Sequence, residues 1–258
     1  MRVIKGLILF CFLITALASC VKEPTFPITP IIELDKVEFW VSQDSGGPDS
    51  LVLYINFRDG NGDLGLSGND IDPPFNPEIF YLDNNNKLIT IRTRDNPEYS
   101  DLPPYEFPYT CTNYTASSRT IYFPASVVNK ATDNVVDSVI ANNIKYYGVQ
   151  DTIYFERNEN AFNIKVEYFV LENGVYEPFD WVTAFPPACG ETFDGRFPRL
   201  SNETNSLEGT IRYSMKSVGF LPLFSIKPIR LRVSIKDRAL NTSNVEEIEF
   251  TLQQVRVN

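Results

Sequence analysis

The chain has 258 residues, a formal net charge of −10 and no histidine. Negative charge of this size repels phosphate backbones, so nucleic acid is not expected as a partner. The lack of histidine excludes Ser-His-Asp and Cys-His nucleophilic sites and histidine-ligated zinc, whereas carboxylate chemistry and oxygen-ligated metals stay open.

The N-terminus has the pattern of an export signal. Two basic residues precede an apolar run over residues 6–17, which is too short for the about 20 residues that span a bilayer but suits a signal-peptide core. The next residues, Leu17-Ala18-Ser19-Cys20, resemble the lipobox of bacterial lipoproteins, whose cysteine carries acyl chains such as palmitate. The resemblance implies a signal peptide over residues 1–19 and a lipid anchor on Cys20. An ordinary cleaved signal with an unrelated cysteine is the alternative.

The chain after residue 19 is large enough for one large core or two small ones. It has 239 of the 258 residues, with 21 basic and 33 acidic side chains. Prolines at positions 24, 27 and 30 favour an extended spacer, so we expect residues 20–33 to form a tether. Residues 34–258 are expected to form one domain, with a split near 126–143 as the alternative.

Alternation of apolar and polar residues is the dominant pattern and predicts β-strands. It is clearest over residues 51–58, 162–168, 211–215, 229–235 and 248–252. Asn173-Gly174 predicts a type I′ hairpin, and Asp83–Asn86 predicts a looser one. Residues 126–143 are ambiguous between a short helix and an irregular excursion. About ten strands of this kind are typical of an all-β, antiparallel β-sandwich.

The last two strands carry complementary charges. Arg230 and Arg232 alternate with apolar residues on one strand, and Glu247 and Glu249 do so on the other. If the two strands pair, these charges face each other across the sheet, and each pair contributes a few tenths of a kcal/mol. We interpret these charges as structural.

Residues 59–65 read DGNGDLG and follow a predicted strand. Oxygen side chains at Asp59, Asn61 and Asp63 resemble the start of an EF-hand-like calcium loop, although position six is leucine and the closing glutamate is missing. Asp70 or Asp72 is a candidate to complete the shell. We therefore expect a structural calcium held by Asp59, Asn61, Asp63 and Asp70. The alternative is a glycine-rich turn whose side chains cap their own backbone.

Two further stretches are interpreted as structural. Residues 237–244, DRALNTSN, resemble a turn near the end of bacterial immunoglobulin-like domains. That resemblance implies an immunoglobulin-like sandwich in which the Asp and Asn side chains fix the turn. Residues 193–198, FDGRFP, place Asp194 and Arg196 where they can form an ion pair in a structured loop, with a ligand site as the alternative.

Cys111 and Cys189 are the thiols that remain if the signal peptide is removed and Cys20 is lipidated. In an oxidising compartment they are expected to form a disulfide, with two buried free thiols as the alternative. Ser50, Ser138 and Thr152 follow aspartate and precede an aliphatic residue. This pattern resembles the O-glycosylation site of Bacteroidota proteins, and it is also common turn chemistry.

The lipobox, DGNGDLG, FDGRFP and DRALNTSN together resemble uncharacterised Bacteroidota outer-membrane lipoproteins. The resemblance implies a cell-envelope location, on the periplasmic or the outer face, and brings no activity. We expect a non-enzymatic lipoprotein that binds an envelope protein or supports an envelope complex. A glycan-binding accessory lipoprotein is the alternative, since aromatic residues cluster at 103–109, at 146–147 and at Trp181. A carboxylate-based hydrolase is a third candidate.

Overall fold

The computed structural model describes residues 25–93, 119–181, 184, 192–201 and 204–257. Within these residues the chain is almost entirely β-structure, and the paired strands are all antiparallel, which confirms the predicted class. The strands are β1 (Ile31–Trp40), β2 (Asp49–Asp59), β3 (Glu78–Phe80), β4 (Ile121–Pro124), β5 (Val135–Ala141), β6 (Ile144–Val149), β7 (Phe155–Arg157), β8 (Ile164–Glu172), β9 (Val175–Phe179), β10 (Leu207–Ser217), β11 (Ile229–Ile235) and β12 (Glu246–Phe250). The described residues also contain a short α-helix, α1 (Phe220–Phe224), and one turn of 3-10 helix (Glu159–Ala161).

Two sheets enclose the main apolar core. One has the strand order β1-β2-β10, and the other has the order β12-β11-β8-β9. Alternate residues of β11 point into this core, as the sequence predicts, and Ile229, Leu231, Val233 and Ile235 are at most 1% exposed. Because both sheets bury one face against the other, the arrangement is sandwich-like.

Aromatic rings fill one end of this core. Trp181 lies 4.8 Å from Phe193 and 5.3 Å from Tyr168 between ring centroids, in edge-to-face contacts. Its side chain is 6% exposed. Trp181 therefore packs inside the sandwich and offers no exposed surface on which a sugar could stack.

A smaller lobe is inserted between β2 and β8. It contains the sheet β4-β6-β5 and the pair β3-β7, around a separate core of Leu88, Phe123, Val128, Val149 and Ile153. The stretch 126–143, which the sequence leaves ambiguous between a short helix and an irregular excursion, consists of turns followed by β5. Since the lobe interrupts the sandwich in sequence, a split near 126–143 does not separate the two cores.

Hairpin and charge-pair predictions are confirmed. Asn173 and Gly174 have φ values of 52° and 83°, as a type I′ turn between β8 and β9 requires. Arg230 pairs with Glu249 at 2.6 Å, and Arg232 pairs with Glu247 at 2.8 Å, across β11 and β12. These pairs are solvent-exposed, so each contributes only a few tenths of a kcal/mol.

The N-terminal segment joins the sandwich earlier than the tether prediction implies. Strand β1 begins at Ile31, so residues 31–33 belong to the sheet. The Asn244 side chain accepts from the Ile32 N–H at 2.8 Å and donates to the Ile32 carbonyl at 2.9 Å, which covers this edge of β1. Residues 1–24, including Cys20, lie outside the described residues. Among the described residues, no helix is long and apolar enough to cross a bilayer.

Candidate metal centre

Two loops from opposite sheets meet at one end of the sandwich. Strand β2 ends at Asp59, and β11 ends at Ile235, two residues before Asp237. An antiparallel bridge joins Leu64 to Asp237, and the Arg238 N–H donates to the Asp63 carbonyl at 3.1 Å. The DGNGDLG loop, here called the cation loop (residues 59–65), therefore lies against the 237–244 turn.

Close backbone contacts explain two glycines of the cation loop. A Cβ atom on Gly60 would lie 2.4 Å from the Phe26 carbonyl oxygen. Gly65 has a φ of +94°, and a Cβ there would lie 2.2 Å from the Pro198 carbonyl oxygen. Any larger residue at these positions has to displace backbone, so the loop is fitted to both neighbouring segments.

Three carboxylates converge between the two loops. Asp59, Asp63 and Asp237 each offer an oxygen, and these oxygens all lie within 4.8 Å of one another. Ligands bound to one calcium ion at about 2.4 Å can be at most about 4.8 Å apart. A single ion can therefore contact all three carboxylates. Asp59 and Asp237 are 0% and 3% exposed, so solvent screens them poorly.

Several oxygens at this position have no hydrogen-bond partner. The Oδ1 atoms of Asp59, Asn61 and Asp63 are shielded from solvent and accept no hydrogen bond. Each buried polar group without a partner lowers the stability of the folded state by about 1–3 kcal/mol, and by more when it is charged. Asp237 is held differently, because its two oxygens accept from the Asn241 backbone N–H at 2.7 Å and from the Asn241 side chain at 2.8 Å. These bonds fix its orientation toward the other carboxylates.

The electrostatics of the cluster are unfavourable without a cation. Burial, followed by the charge on Asp63, raises the pKa of Asp59 to about 6. Burial and then Asp237 raise the pKa of Asp63. None of the ion pairs within the described part of the chain involves these three residues. The Arg238 guanidinium instead donates to the carbonyls of Leu64 and Gly65, at 3.2 and 3.3 Å.

Asp70 is not brought into this cluster. Its carboxylate pairs with Arg199 at 2.6 Å and accepts from the Ser67 N–H at 2.6 Å. The hydrogen bond from Arg199 lowers the pKa of Asp70. Asp237 supplies the third carboxylate instead, a role that the sequence interpretation missed. Only a partial signal is present in the sequence: Asp237 lies two residues after a strong strand pattern and opens a second turn motif.

The FDGRFP loop makes contacts with both the sandwich and the inserted lobe. Within it, Asp194 and Arg196 do not pair with each other, because Asp194 accepts from the Val166 N–H at 2.9 Å. The Arg196 guanidinium donates to four backbone carbonyls, those of Ala161, Ser67, Asp70 and Phe75. Arg196 thereby ties the inserted lobe to the sandwich.

The remaining predicted residues are scattered. Ser50 and Thr152 are partly buried, and Ser138 is exposed on β5. Cys111 and Cys189 lie outside the described residues. The predicted glycosylation and disulfide therefore stay predictions.

Comparisons with protein-family models, with curated proteins and with solved structures find no match to this chain. Its role has to be inferred from its own residues. The converging carboxylates are the feature whose chemistry points to a ligand.

Proposed function

We propose that this chain is a lipid-anchored, non-enzymatic cell-envelope protein whose immunoglobulin-like β-sandwich is stabilised by one calcium ion. The observation that carries the calcium site is the convergence of Asp59, Asp63 and Asp237, whose ligand oxygens lie within 4.8 Å of one another and of which Asp59 and Asp63 have buried Oδ1 atoms that accept no hydrogen bond. The buried amide oxygen of Asn61, in the same loop, is proposed as a fourth ligand. The ligands are carboxylate and amide oxygens, which hard cations prefer.

Calcium suits this set better than magnesium. The ligands come from two loops with irregular geometry, and calcium accepts six to eight oxygens in flexible arrangements, whereas magnesium requires near-octahedral geometry and retains its waters. Three carboxylates in such a small volume repel one another, and a doubly charged ion cancels most of that charge. The cation is thus expected to lower the pKa of Asp59 and Asp63 and to order both loops.

The position of the site favours a structural role. Asp59 ends a strand of one sheet, and Asp237 follows a strand of the other. An ion bound to both therefore links the two sheets at one end of the sandwich. A hydrolase needs paired carboxyls in an open cleft. Asp59 and Asp237 are almost fully buried, which leaves no room for a sugar ring between them.

The cellular part of the proposal rests on the N-terminal sequence. Cys20 in its lipobox context is proposed to anchor the protein in the outer membrane, with the β domain outside the cytoplasm. The domain is proposed to act by binding an envelope protein or supporting an envelope complex. Nucleic acid is not a proposed partner, because the chain is strongly acidic.

Thermal unfolding with calcium and with a chelator tests the calcium site. We expect the Tm of the protein to be higher in calcium than in EDTA, and magnesium to raise it less. A neutral Asp59→Asn variant should lose most of the calcium response. A Tm that is the same in calcium and in EDTA would reject the site.

A further inference from the structure

Strand β5 of the inserted lobe is an edge strand that is exposed on both faces. It pairs only with β6 in the sheet β4-β6-β5, and residues 136–141 are all exposed. Ile140 is 75% exposed, Val136 is 46% exposed and Val139 is 43% exposed. Among the described residues, the backbone groups of residues 136–141 form no hydrogen bond outside the β5–β6 pair. One side of β5 therefore presents free backbone donors and acceptors.

The other edge strands, in the part of the chain that the structure describes, are protected against pairing. The Asn244 side chain and residues 255–257 cover β1, by hydrogen bonds to the backbone of Ile32 and Phe39. Pro178 in β9 lacks a donor, and β3, β4 and β7 have only three or four residues each. Three charged side chains lie on β10 and three on β12: Glu208, Arg212, Lys216, Glu246, Glu247 and Glu249. Covering, proline, short length and charge are the usual means by which proteins block strand addition.

The single charge on β5 is drawn away from its open side. The Tyr122 hydroxyl on β4 donates to Asp137 Oδ2 at 2.6 Å. The carboxylate reaches Tyr122 across Gly148 of β6, where a Cβ atom would collide with it. A β-bulge between Val135 and Asp137 disturbs only the start of the strand. Residues 137–141 therefore form a regular strand segment whose open side has no protection.

A second group of exposed apolar side chains, at one end of the sandwich, lacks an open strand edge. Val218 and Ile226 are 63% and 88% exposed, but they lie in the loops on either side of α1. Val175 and Trp40 lie at the ends of β9 and β1, which are protected strands. Backbone hydrogen bonds provide the affinity when a strand is added to a sheet. The open backbone, and not exposure alone, distinguishes β5.

The sequence of β5 is suited to pairing with a second copy of itself. In an antiparallel pair about a two-fold axis at Val139, this residue faces Val139 of the second copy. Ser138 then faces Ile140, and Asp137 faces Ala141. The two Asp137 residues lie at opposite ends of the pair, about 14 Å apart along the strands. No like charges face each other, so the pair lacks the repulsion that destabilises matched charges.

The charge of the chain does not oppose this approach. The strands β4, β5 and β6 contain one acid, Asp137, and one base, Lys145. This sheet is therefore neutral, although the whole chain has a net charge of −10. Charges farther away than about 8 Å are largely screened at physiological ionic strength.

We propose that the protein forms a two-fold symmetric dimer in which β5 of one copy pairs antiparallel with β5 of the other, joining two three-stranded sheets into one of six strands. Tyr146 of β6 lies opposite Val139, so the pair creates a row of four apolar side chains across the two-fold axis. The inference goes beyond the proposed function and rests neither on the calcium site nor on the lipid anchor. Because only five residues of each strand pair, we expect a Kd at the weak, micromolar end of the range for protein interfaces.

Sedimentation velocity over a concentration series tests the dimer. The full-length protein is measured in density-matched detergent from about 1 to about 100 µM, a range that brackets a micromolar Kd. Val139→Lys places two lysines opposite each other at the two-fold axis, and it should raise the Kd about tenfold or more. Val218→Lys is the matched control, since it also adds a lysine at an exposed valine but lies off the edge. It should leave the Kd unchanged, and the Tm of both variants checks that they fold.

Two further measurements show whether the strands themselves pair. A mixture of Val139→Lys and Val139→Glu should restore the dimer, because opposite charges then face each other. In the wild type, hydrogen exchange at the outward-facing amides of residues 137–141 should be slower at high than at low protein concentration. A wild type that stays monomeric, or a dimer that Val139→Lys leaves intact, would overturn the proposal. A dimer whose β5 amides exchange equally at both concentrations would do so too, and a mixture that stays monomeric would overturn the pairing about Val139.

Discussion

We expect calcium to make Asp237→Asn less stable than the wild type, although in EDTA the variant is at least as stable. The substitution removes one of three converging carboxylates and keeps an amide oxygen that can still accept from Asn241. In EDTA the variant has less repulsion between buried charges, so we expect its Tm to equal or exceed that of the wild type. In calcium the variant lacks a ligand, so its Tm should be lower.

The size of the effect follows from mass action. Extracellular calcium modules bind with a Kd of about 0.1–1 mM, so about 10 mM calcium stabilises a site at the tight end of this range by about 2.7 kcal/mol. For a chain of this size, about 1 kcal/mol corresponds to about 2–4 °C in Tm. The wild type should therefore gain about 5–10 °C from calcium, and Asp237→Asn should gain little.

Calorimetric or circular-dichroism melts in calcium and in EDTA provide the measurement. Asp70→Asn is the matched control, because Asp70 lies outside the cluster and makes an ion pair with Arg199 that is worth at most about 1 kcal/mol. This control should lose the same small amount in both buffers. If the Tm difference between wild type and Asp237→Asn is the same in calcium and in EDTA, the carboxylate cluster does not bind calcium.

Three other predictions concern proton linkage, packing and anchoring. In chelator, the pKa of Asp59 is raised from 3.8 to about 6 in the folded state. The free energy of unfolding of the wild type, relative to that of Asp59→Asn, should therefore fall as the pH rises from about 4 to about 6. Urea titrations at pH 4.5 and 7 measure this difference, and a rise with pH would contradict the burial of Asp59. Arg196→Ala should lower the free energy of unfolding, measured by urea denaturation, by about 2–4 kcal/mol, since four partly buried carbonyls lose their donor. Arg199→Ala should lower it by at most about 1 kcal/mol; equal losses would count against the role of Arg196 in tying the inserted lobe to the sandwich. Cys20→Ala should release the protein from the membrane fraction without changing its Tm, and a variant that stays with the membrane would exclude lipid anchoring through Cys20.

Local patterns were sufficient for much of the fold. Strands β2 and β11 could be predicted because each buries alternate residues, and this period of two is a local property of the sequence. The hairpin at Asn173-Gly174 and the pairing of Arg230 with Glu249 could be predicted for the same reason. In each case the residues that decide the structure lie within about 20 positions of one another.

The inserted lobe was harder to predict. Its strands β3 and β7 have three residues each, which is too short for alternation to be recognised. Strand β5 is exposed on both faces, with Ile140 at 75% exposure, so its β-branched residues do not alternate with polar ones. Sequence alone therefore left residues 126–143 ambiguous between a short helix and an irregular excursion, where the structure has turns and the first strand of the β5–β6 hairpin.

The candidate site shows the same limit. Asp59, Asn61 and Asp63 were found because the spacing of ligands within one loop is visible in sequence. Asp237 lies 178 positions after Asp59, and its place in the cluster depends on how the two sheets pack. Asp70 was favoured because it is close in sequence, but it pairs with Arg199, which comes 129 positions later. Both outcomes were decided by tertiary contacts that one sequence does not reveal.

Counting bound calcium tests the central claim most directly. The wild type, Asp237→Asn and Asp70→Asn are each dialysed to equilibrium against about 1 mM calcium. Elemental mass spectrometry then measures the number of calcium ions per chain. With a Kd in the range of about 0.1–1 mM, the wild type and Asp70→Asn should each hold between about half an ion and one ion per chain, and Asp237→Asn should hold far less. A wild type that holds no more calcium than Asp237→Asn would contradict a cation site between Asp59, Asp63 and Asp237.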